Sequence, residues 1–486
     1  MTNDLRHIFV IFGGTGDLAR RKLIPSLWSL ITETEIGDGC VVLGVGSRNM
    51  DDDDYRAWTR DALLDAGLSD TDLESWPDDN VYFEQLGRDA ESLDDLADRI
   101  KAIESEHDLP GNRVFYLAVP PSVFPRTIER LGRAGLDESE GWIRLVIEKP
   151  FGTDLATAHE LNDLVHRWFS EPQVYRIDHY LGKETVQNVL TFRFSNPMFE
   201  HLWNRDRVES IEITVAEDLG IAGRAGYYES AGALRDMVQN HLTQVLTLVA
   251  MEPPVSFDAE QIRNEKVKVI EAIAPITAGN VVFGQYDAGT IADRPVPAYR
   301  DEEGVDSDSQ TPTFVGLRLQ VDTWRWQGVP FYLRTGKRLP TRLTQIAVTF
   351  QKPPLCIFHG ARDGCDMAPN VLLITLQPDE GFTLRFSVKA PGEPLTIESQ
   401  ALRFSHDDVY GPLPEAYRAL IQDVIEGDQT LFVRADEAEA SWRLYDALLA
   451  EDHKLHSYAA GTWGPAVRDG SLALGGKAWT GDEPAP

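Results

Sequence analysis

Between Tyr175 and Glu184 the chain reads YRIDHYLGKE, which sets a carboxylate, an imidazole, a phenol and an ammonium at Asp178, His179, Tyr180 and Lys183. If a helix starts at Asp178, His179 and Lys183 fall on one face while Asp178 points elsewhere. Two cationic donors beside a phenol suit a phosphate group; a solvated surface turn is the competing reading. Upstream, LVIEKPFG puts Glu148 and Lys149 at the carboxyl end of an apolar strand, the edge at which ligands of open α/β sheets collect. Pro150 restricts Lys149 to an extended conformation and allows a cis bond, either of which directs the ammonium. A strand-end lysine paired with a surface acid is the alternative there. A third group sits in GALRDMVQNHLTQVLTLVAM, which reads as an amphipathic helix with Met237, Val238, Leu242, Val245, Leu246 and Val249 on its apolar surface. Asp236 and His241 lie on the more polar part. A histidine in such a helix is more often a satisfied core group than a catalyst, and it needs an orienting partner to act as a base.

These groups need a scaffold, and the N-terminus supplies one. HIFVIFGGTGDLARRKLIPSLW reads as a strand, a glycine-rich turn and a helix. Gly14-Thr15-Gly16-Asp17-Leu18-Ala19 satisfies the dinucleotide fingerprint with alanine last, and Gly13 permits a parse one residue earlier. Glycines allow the backbone to approach a pyrophosphate, which then sits at the positive end of the helix; a purely structural turn is the other reading. No Walker lysine follows at the required spacing, which disfavours ATP or GTP. After the second strand, where an NAD site places an acid, the chain offers Ser47 and Arg48. A hydroxyl beside a guanidinium suits the 2′-phosphate of NADP, although an arginine here can also stack on adenine or face solvent.

The wider pattern divides the chain in two. To about Tyr175, near-continuous apolar runs (HIFVIFG, CVVLGVG, VYFEQL, RVFYLAVP, IRLVIEKP) alternate with helical stretches, which predicts a doubly wound, Rossmann-type parallel sheet. Beyond about Thr185 come alternating strands, among them NVLTFRF, VESIEITVAED, TFVGLRLQVDT, PFYLRTG, QIAVTFQ, NVLLITLQP and FTLRFSVKA. Several run on without helices between them, so a mainly antiparallel sheet covered on one face by helices is expected. The boundary falls within residues 176–186, giving domains 1–180 and 181–486. RDEEGVDSDSQTP reads as an exposed loop.

With 486 residues, 42% hydrophobic, the chain can build more than one core. A net charge of -32 argues against binding nucleic acid or anionic lipid. No segment approaches the roughly 20 apolar residues of a membrane helix. Three scattered cysteines, Cys40, Cys356 and Cys365, suggest neither a disulfide framework nor a zinc site. The cytoplasm is the expected compartment.

RIDHYLGKE, EKPFG, FGGTGDLA and RDMVQNHL together resemble the glucose-6-phosphate dehydrogenase family, with motifs in order through YLRTGKRLPTR at residue 342. RIDHYLGKE is the specific one; EKP also occurs in other sugar oxidoreductases. The resemblance implies a Rossmann domain followed by a β+α domain on a large antiparallel sheet, assembled as a homodimer or homotetramer. It further implies a metal-free hydride transfer to NADP from glucose 6-phosphate. By the same resemblance His241 is the general base at the C1 hydroxyl and Asp178 the carboxylate that orients it. His179, Tyr180, Lys183 and Arg342 become phosphate ligands, while Lys149, Glu217, Asp236 and Lys337 hold sugar hydroxyls, Lys149 lying also near the cofactor. Gly13, Gly14, Thr15, Gly16, Asp17, Leu18, Ser47 and Arg48 form the cofactor site. The family often has arginine where Ser47 stands, so use of NAD beside NADP stays open. A different sugar oxidoreductase and a non-catalytic paralogue are the competing readings.

Overall fold

Every side chain from His7 to Phe12 is buried, so this first strand (β1) needs neighbours on both edges and cover on both faces. It pairs in parallel with β2 (Cys40–Gly46) on one side and β4 (Arg113–Leu117) on the other. Beyond β2 lies β3 (Val81–Gln85), and beyond β4 lie β5 (Ile143–Glu148) and β6 (Val174–Ile177), all parallel. The order β6-β5-β4-β1-β2-β3 reverses between β4 and β1, and a crevice opens there at the carboxyl ends of the strands. This is the doubly wound sheet expected from the alternation of apolar runs and helices.

The computed structural model describes residues 5–34, 39–69, 73, 80–87, 90–355, 357–358, 367–411, 415–451, 453–465 and 479–480. Cys356 and Cys365 lie outside them, and Cys40 is buried in β2. Two compact units result: Met1–Lys183 with Ser256–Arg263 and Pro414–Glu439, and Glu184–Val255 with Asn264–Leu413 and Ala440–Pro486. The first unit thus includes two stretches far downstream of residue 180. One of them carries the helix Ala416–Glu426 and a short strand (β17, Phe432–Val433) that pairs antiparallel with β6. Among the described residues no helix is long and apolar enough to cross a membrane.

The acidic run Asp51 to Asp54 has structural work. Asp51 caps the helix Asp52–Asp65, its carboxylate accepting from the Asp54 amide at 2.9 Å. Asp52 accepts from the Phe83 amide at 2.8 Å and from Arg99 at 2.6 Å, tying the helix to β3. Carboxylates in a first helical turn also meet the positive end of the helix dipole.

In the second unit β7 (Val208–Ala216) and β8 (Val281–Asp287) are followed by a hairpin of β9 (Gly289–Ile291) and β10 (Arg294–Val296). Then come β11 (Phe314–Gln320), β12 (Pro330–Gly336), β13 (Leu343–Phe350), β14 (Val371–Gln377), β15 (Gly381–Lys389), β16 (Ile397–Ser405) and β18 (Leu455–Ala459). Apart from the hairpin, they form a nine-stranded sheet in the order β16-β15-β14-β13-β7-β12-β11-β8-β18. Only the pairs β7·β12 and β8·β18 are parallel among these described strands, so the sheet is mainly antiparallel, as expected. The loop 300–312 is largely exposed, but Ser309 is buried and its hydroxyl donates to Glu229 at 2.9 Å.

One expected strand is a helix. NVLTFRF lies within the helix Glu184–Ser195, where Val186, Val189, Leu190 and Arg193 are buried. That spacing of three, four and seven is helical, and it outweighs the β-branched and aromatic composition that suggested a strand.

Candidate active site

The glycine turn is built by close packing at the crevice. Gly13, at φ +84°, follows β1, and an added Cβ would lie 2.4 Å from the Ala118 carbonyl oxygen just past β4. The amides of Gly13 and Gly14 both donate to Val45 of β2, at 2.8 and 3.0 Å. At Gly16 an added Cβ would meet only the Gly13 carbonyl, so the rest of that approach is open, as a pyrophosphate over the turn requires. Asp17 and Leu18 begin the helix that follows, with Asp17 paired to Arg21 at 2.8 Å. Ser47 and Arg48 are exposed one and two residues beyond β2. Thr15 sits close by, with its hydroxyl oxygen 3.5 Å from where a Gly46 Cβ would stand. The residues present fit a dinucleotide.

Along the same edge, β5 ends at Glu148 and β6 at Ile177, which pair in register. Lys149 and Asp178 therefore leave adjacent strand ends. The Lys149–Pro150 bond is cis. Asp178 does not start a helix. Its carboxylate accepts from the Tyr180 amide at 3.0 Å, and turn bonds run from Leu181 to the Asp178 carbonyl and from Lys183 to the Tyr180 carbonyl. A short carboxylate that captures the backbone two residues on makes a turn at the cost of a helix, and the helix begins only at Glu184. The expectation that His179 and Lys183 share a helix face is therefore replaced by a tighter arrangement. Lys183 Nζ lies 4.0 Å from the centre of the Tyr180 ring, and the His179 ring meets Tyr180 edge-on at 5.1 Å. Gly182 admits this turn beside the helix Ala416–Glu426, since an added Cβ would lie 2.6 Å from Leu420. Asp178 itself is 1% exposed.

In the second unit the segment carrying Asp236 and His241 starts after Gly232, at φ +59° and ψ 176°. From Leu234 to Leu242 it is a π-helix. In an α-helix residues five apart diverge by about 140°; the i→i+5 winding brings Asp236 and His241 nearer to one face. Side chains hold the wide turn open. Thr243 donates to the Val238 carbonyl at 2.7 Å, Ser441 to that of Gln239 at 2.5 Å, and Asn240 to that of Arg235 at 3.0 Å. At the far end of the helical run, Leu248 and Met251 offer their carbonyls to Arg193, Val249 to Trp203 and Ala250 to Trp326. A helix terminus so capped is fixed in place, and His241 is fixed with it, at 1% exposure.

Lys337 and Glu217 form an ion pair at 2.7 Å, the lysine side chain almost wholly buried. Backbone bonds lock both: Glu217 donates to Gly336, Lys337 to Thr313, and the Tyr458 hydroxyl to the Lys337 carbonyl at 2.7 Å. Lys337 Nζ stands 5.1 Å from the Tyr228 ring centre. Tyr227 donates to Asp236 at 3.2 Å. Burial first, then the Asp236 and Glu217 carboxylates among its neighbours, hold the Tyr228 phenol well above its usual range. The structure thus gathers Glu217, Lys337 and Asp236 around a tyrosine pair that the sequence reading did not single out. Arg342 is exposed at the entry to β13.

A parallel sheet opening with this turn, followed by a unit that presents acids, a lysine and a buried imidazole, defines a dinucleotide-dependent dehydrogenase. The profile described as "Glucose-6-phosphate dehydrogenase, NAD binding domain" matches residues 10–188, and that described as "Glucose-6-phosphate dehydrogenase, C-terminal domain" matches residues 190–480. The chain belongs to the glucose-6-phosphate dehydrogenase family. It is 43% identical over 481 residues to the glucose-6-phosphate 1-dehydrogenase of Aggregatibacter actinomycetemcomitans, covering 97% of this chain and 96% of that one. A solved glucose-6-phosphate dehydrogenase in complex with its substrate glucose-6-phosphate is 34% identical, with a TM-score of 0.90 and 99% of each chain covered. The glucose-6-phosphate 1-dehydrogenase from Mycobacterium avium is 33% identical with a TM-score of 0.82, covering 99% of this chain and 100% of that one.

Proposed function

We infer that the chain oxidises D-glucose 6-phosphate to 6-phospho-D-glucono-1,5-lactone with NADP as hydride acceptor, the entry step of the pentose phosphate pathway. The observation that carries this reading is the turn Asp178–Lys183. A buried carboxylate stands there beside an imidazole and an ammonium, in a chain matched to this family over nearly its whole length.

In the mechanism we propose, His179, Tyr180, Lys183 and Arg342 bind the phosphate, whose binding energy positions the sugar. Lys149, Glu217, Asp236 and Lys337 hold the hydroxyls, and the Glu217–Lys337 pair presents an acceptor and a donor in fixed relation. His241 takes the proton from the C1 hydroxyl as hydride leaves C1, and Asp178 orients and stabilises the imidazolium that forms. NADP, when bound, supplies the electron sink. Its pyrophosphate would lie over Gly13 to Leu18, with Ser47 and Arg48 on the 2′-phosphate.

We further propose a homodimer or homotetramer, for which the outer strands β15 and β16 offer a surface: Leu402 on β16 is 63% exposed. A cytoplasmic setting goes with three cysteines too scattered for a disulfide framework.

Initial rates of the wild type and Arg48→Ala with glucose 6-phosphate and glucose, each with NADP and NAD, test the assignment. The phosphate ester should be preferred in kcat/KM by about 100-fold or more, the scale of several charge-assisted bonds. Arg48→Ala should cost about tenfold with NADP and little with NAD. Equal wild-type rates on glucose would overturn the substrate assignment, and equal losses with both coenzymes would remove the 2′-phosphate contact.

A further inference from the structure

Glu148 is a carboxyl that the mechanism above does not use. It ends β5, and its Oε1 accepts from the Tyr116 hydroxyl at 2.6 Å and from the Tyr417 hydroxyl at 3.2 Å. Tyr116 belongs to β4 and is fully buried, so one side of this bridge is part of the sheet core. Tyr417 is half-buried near the start of the helix Ala416–Glu426, and its ring lies parallel to the His179 imidazole, 8° between planes and 6.5 Å between centres. His179 in turn meets Tyr180, over which Lys183 is held. A chain of contacts thus runs from the core of the sheet through Glu148 and Tyr417 to the imidazole in the turn.

We propose that Glu148 is a positioning residue for the phosphate end of the substrate: by holding the Tyr417 hydroxyl it sets the ring against which His179 packs. The inference rests on the reading of 178–183 as the phosphate site. A side chain whose rotamer is locked by a second layer of hydrogen bonds loses less freedom when the ligand arrives. Burial keeps the Glu148 carboxyl above the usual carboxylate range, while the two tyrosine hydroxyls and the Lys149 ammonium pull it down. An acceptor oxygen is all that the bridge requires.

Steady-state kinetics of Glu148→Ala, Glu148→Gln and Tyr417→Phe with glucose 6-phosphate and with glucose provide the test. Glu148→Ala and Tyr417→Phe should raise KM for glucose 6-phosphate about tenfold, the scale of one lost charge-assisted hydrogen bond, while kcat and the kcat/KM for glucose stay within about twofold. Glu148→Gln should behave as the wild type, because its amide oxygen can accept from both phenols. Tyr417→Phe keeps the ring and its packing, so it reports even if Glu148→Ala fails to fold. Equal losses on both substrates, or a Gln variant as impaired as the Ala variant, would overturn the inference. A wild type indifferent to the phosphate overturns the substrate assignment and this inference together. A discriminating wild type with unmoved variants overturns this inference alone.

Discussion

Replacing His241 by asparagine is expected to lower kcat on glucose 6-phosphate by about 10²–10⁴-fold and to leave KM within a few-fold, the signature of a group needed only in the transition state. Asparagine suits the experiment because the helix around position 241 is held by other atoms. Thr243, Ser441 and Asn240 satisfy the carbonyls of the π-turn, and Arg193, Trp203 and Trp326 satisfy those at the far end. The substitution therefore removes the proposed base without removing the frame. Thermal unfolding should shift little, which separates lost chemistry from lost structure. A large rise in KM at near-normal kcat would reassign His241 to binding.

Lys183→Ala is expected to do the converse, raising KM for glucose 6-phosphate about 10–100-fold while kcat changes by only a few-fold. The ammonium is held over the Tyr180 ring at 4.0 Å, so it arrives pre-positioned, and its loss removes a charge as well as a donor. Because the phosphate lies far from the reacting carbon, the effect should fall on binding energy and not on proton transfer. Glucose, which has no phosphate, should be processed by the variant as by the wild type. If kinetics showed the His241 and Lys183 effects interchanged, both role assignments would be wrong.

How far the sequence could be read follows from what each feature depends on. The parallel sheet was legible because strands buried on both faces are near-continuous apolar runs, as β1, β2, β4 and β5 are apart from His7, Arg113, Arg144 and Glu148. The glycine turn was legible because one of its requirements is local: Gly13 sits at φ +84°, which side chains rarely adopt. The strand β6 escaped because it is four residues long and includes Arg176, a buried cation paired with Glu171 at 2.7 Å. A periodicity argument cannot foresee such a partner. The helix 184–195 was misread because valine, threonine and phenylalanine favour strands in isolation, while the buried positions repeat at helical spacing. At the candidate site, Asp178, His179 and Lys183 announced themselves by proximity in the chain, yet their geometry came from an aspartate-capped turn and not a helix face. Tyr417 and Tyr228 carried no such signal, since their partners Glu148 and Lys337 are brought to them by the fold from far along the chain. The π-winding at 234–242 rests on Ser441 and Tyr445, likewise remote in sequence, the latter bonding Thr243 at 2.9 Å.

The central claim is that Asp178 acts through His241, and a double-mutant cycle on kcat measures it directly. Asp178→Asn alone should lower kcat by orders of magnitude. Introduced into His241→Asn, the same change should cost no more than about threefold in kcat, because the new asparagine oxygen can still accept from the Tyr180 amide and the carboxylate's part in proton transfer is already lost with the imidazole. Full additivity of the two losses would mean that the carboxylate and the imidazole work independently, and would contradict the account.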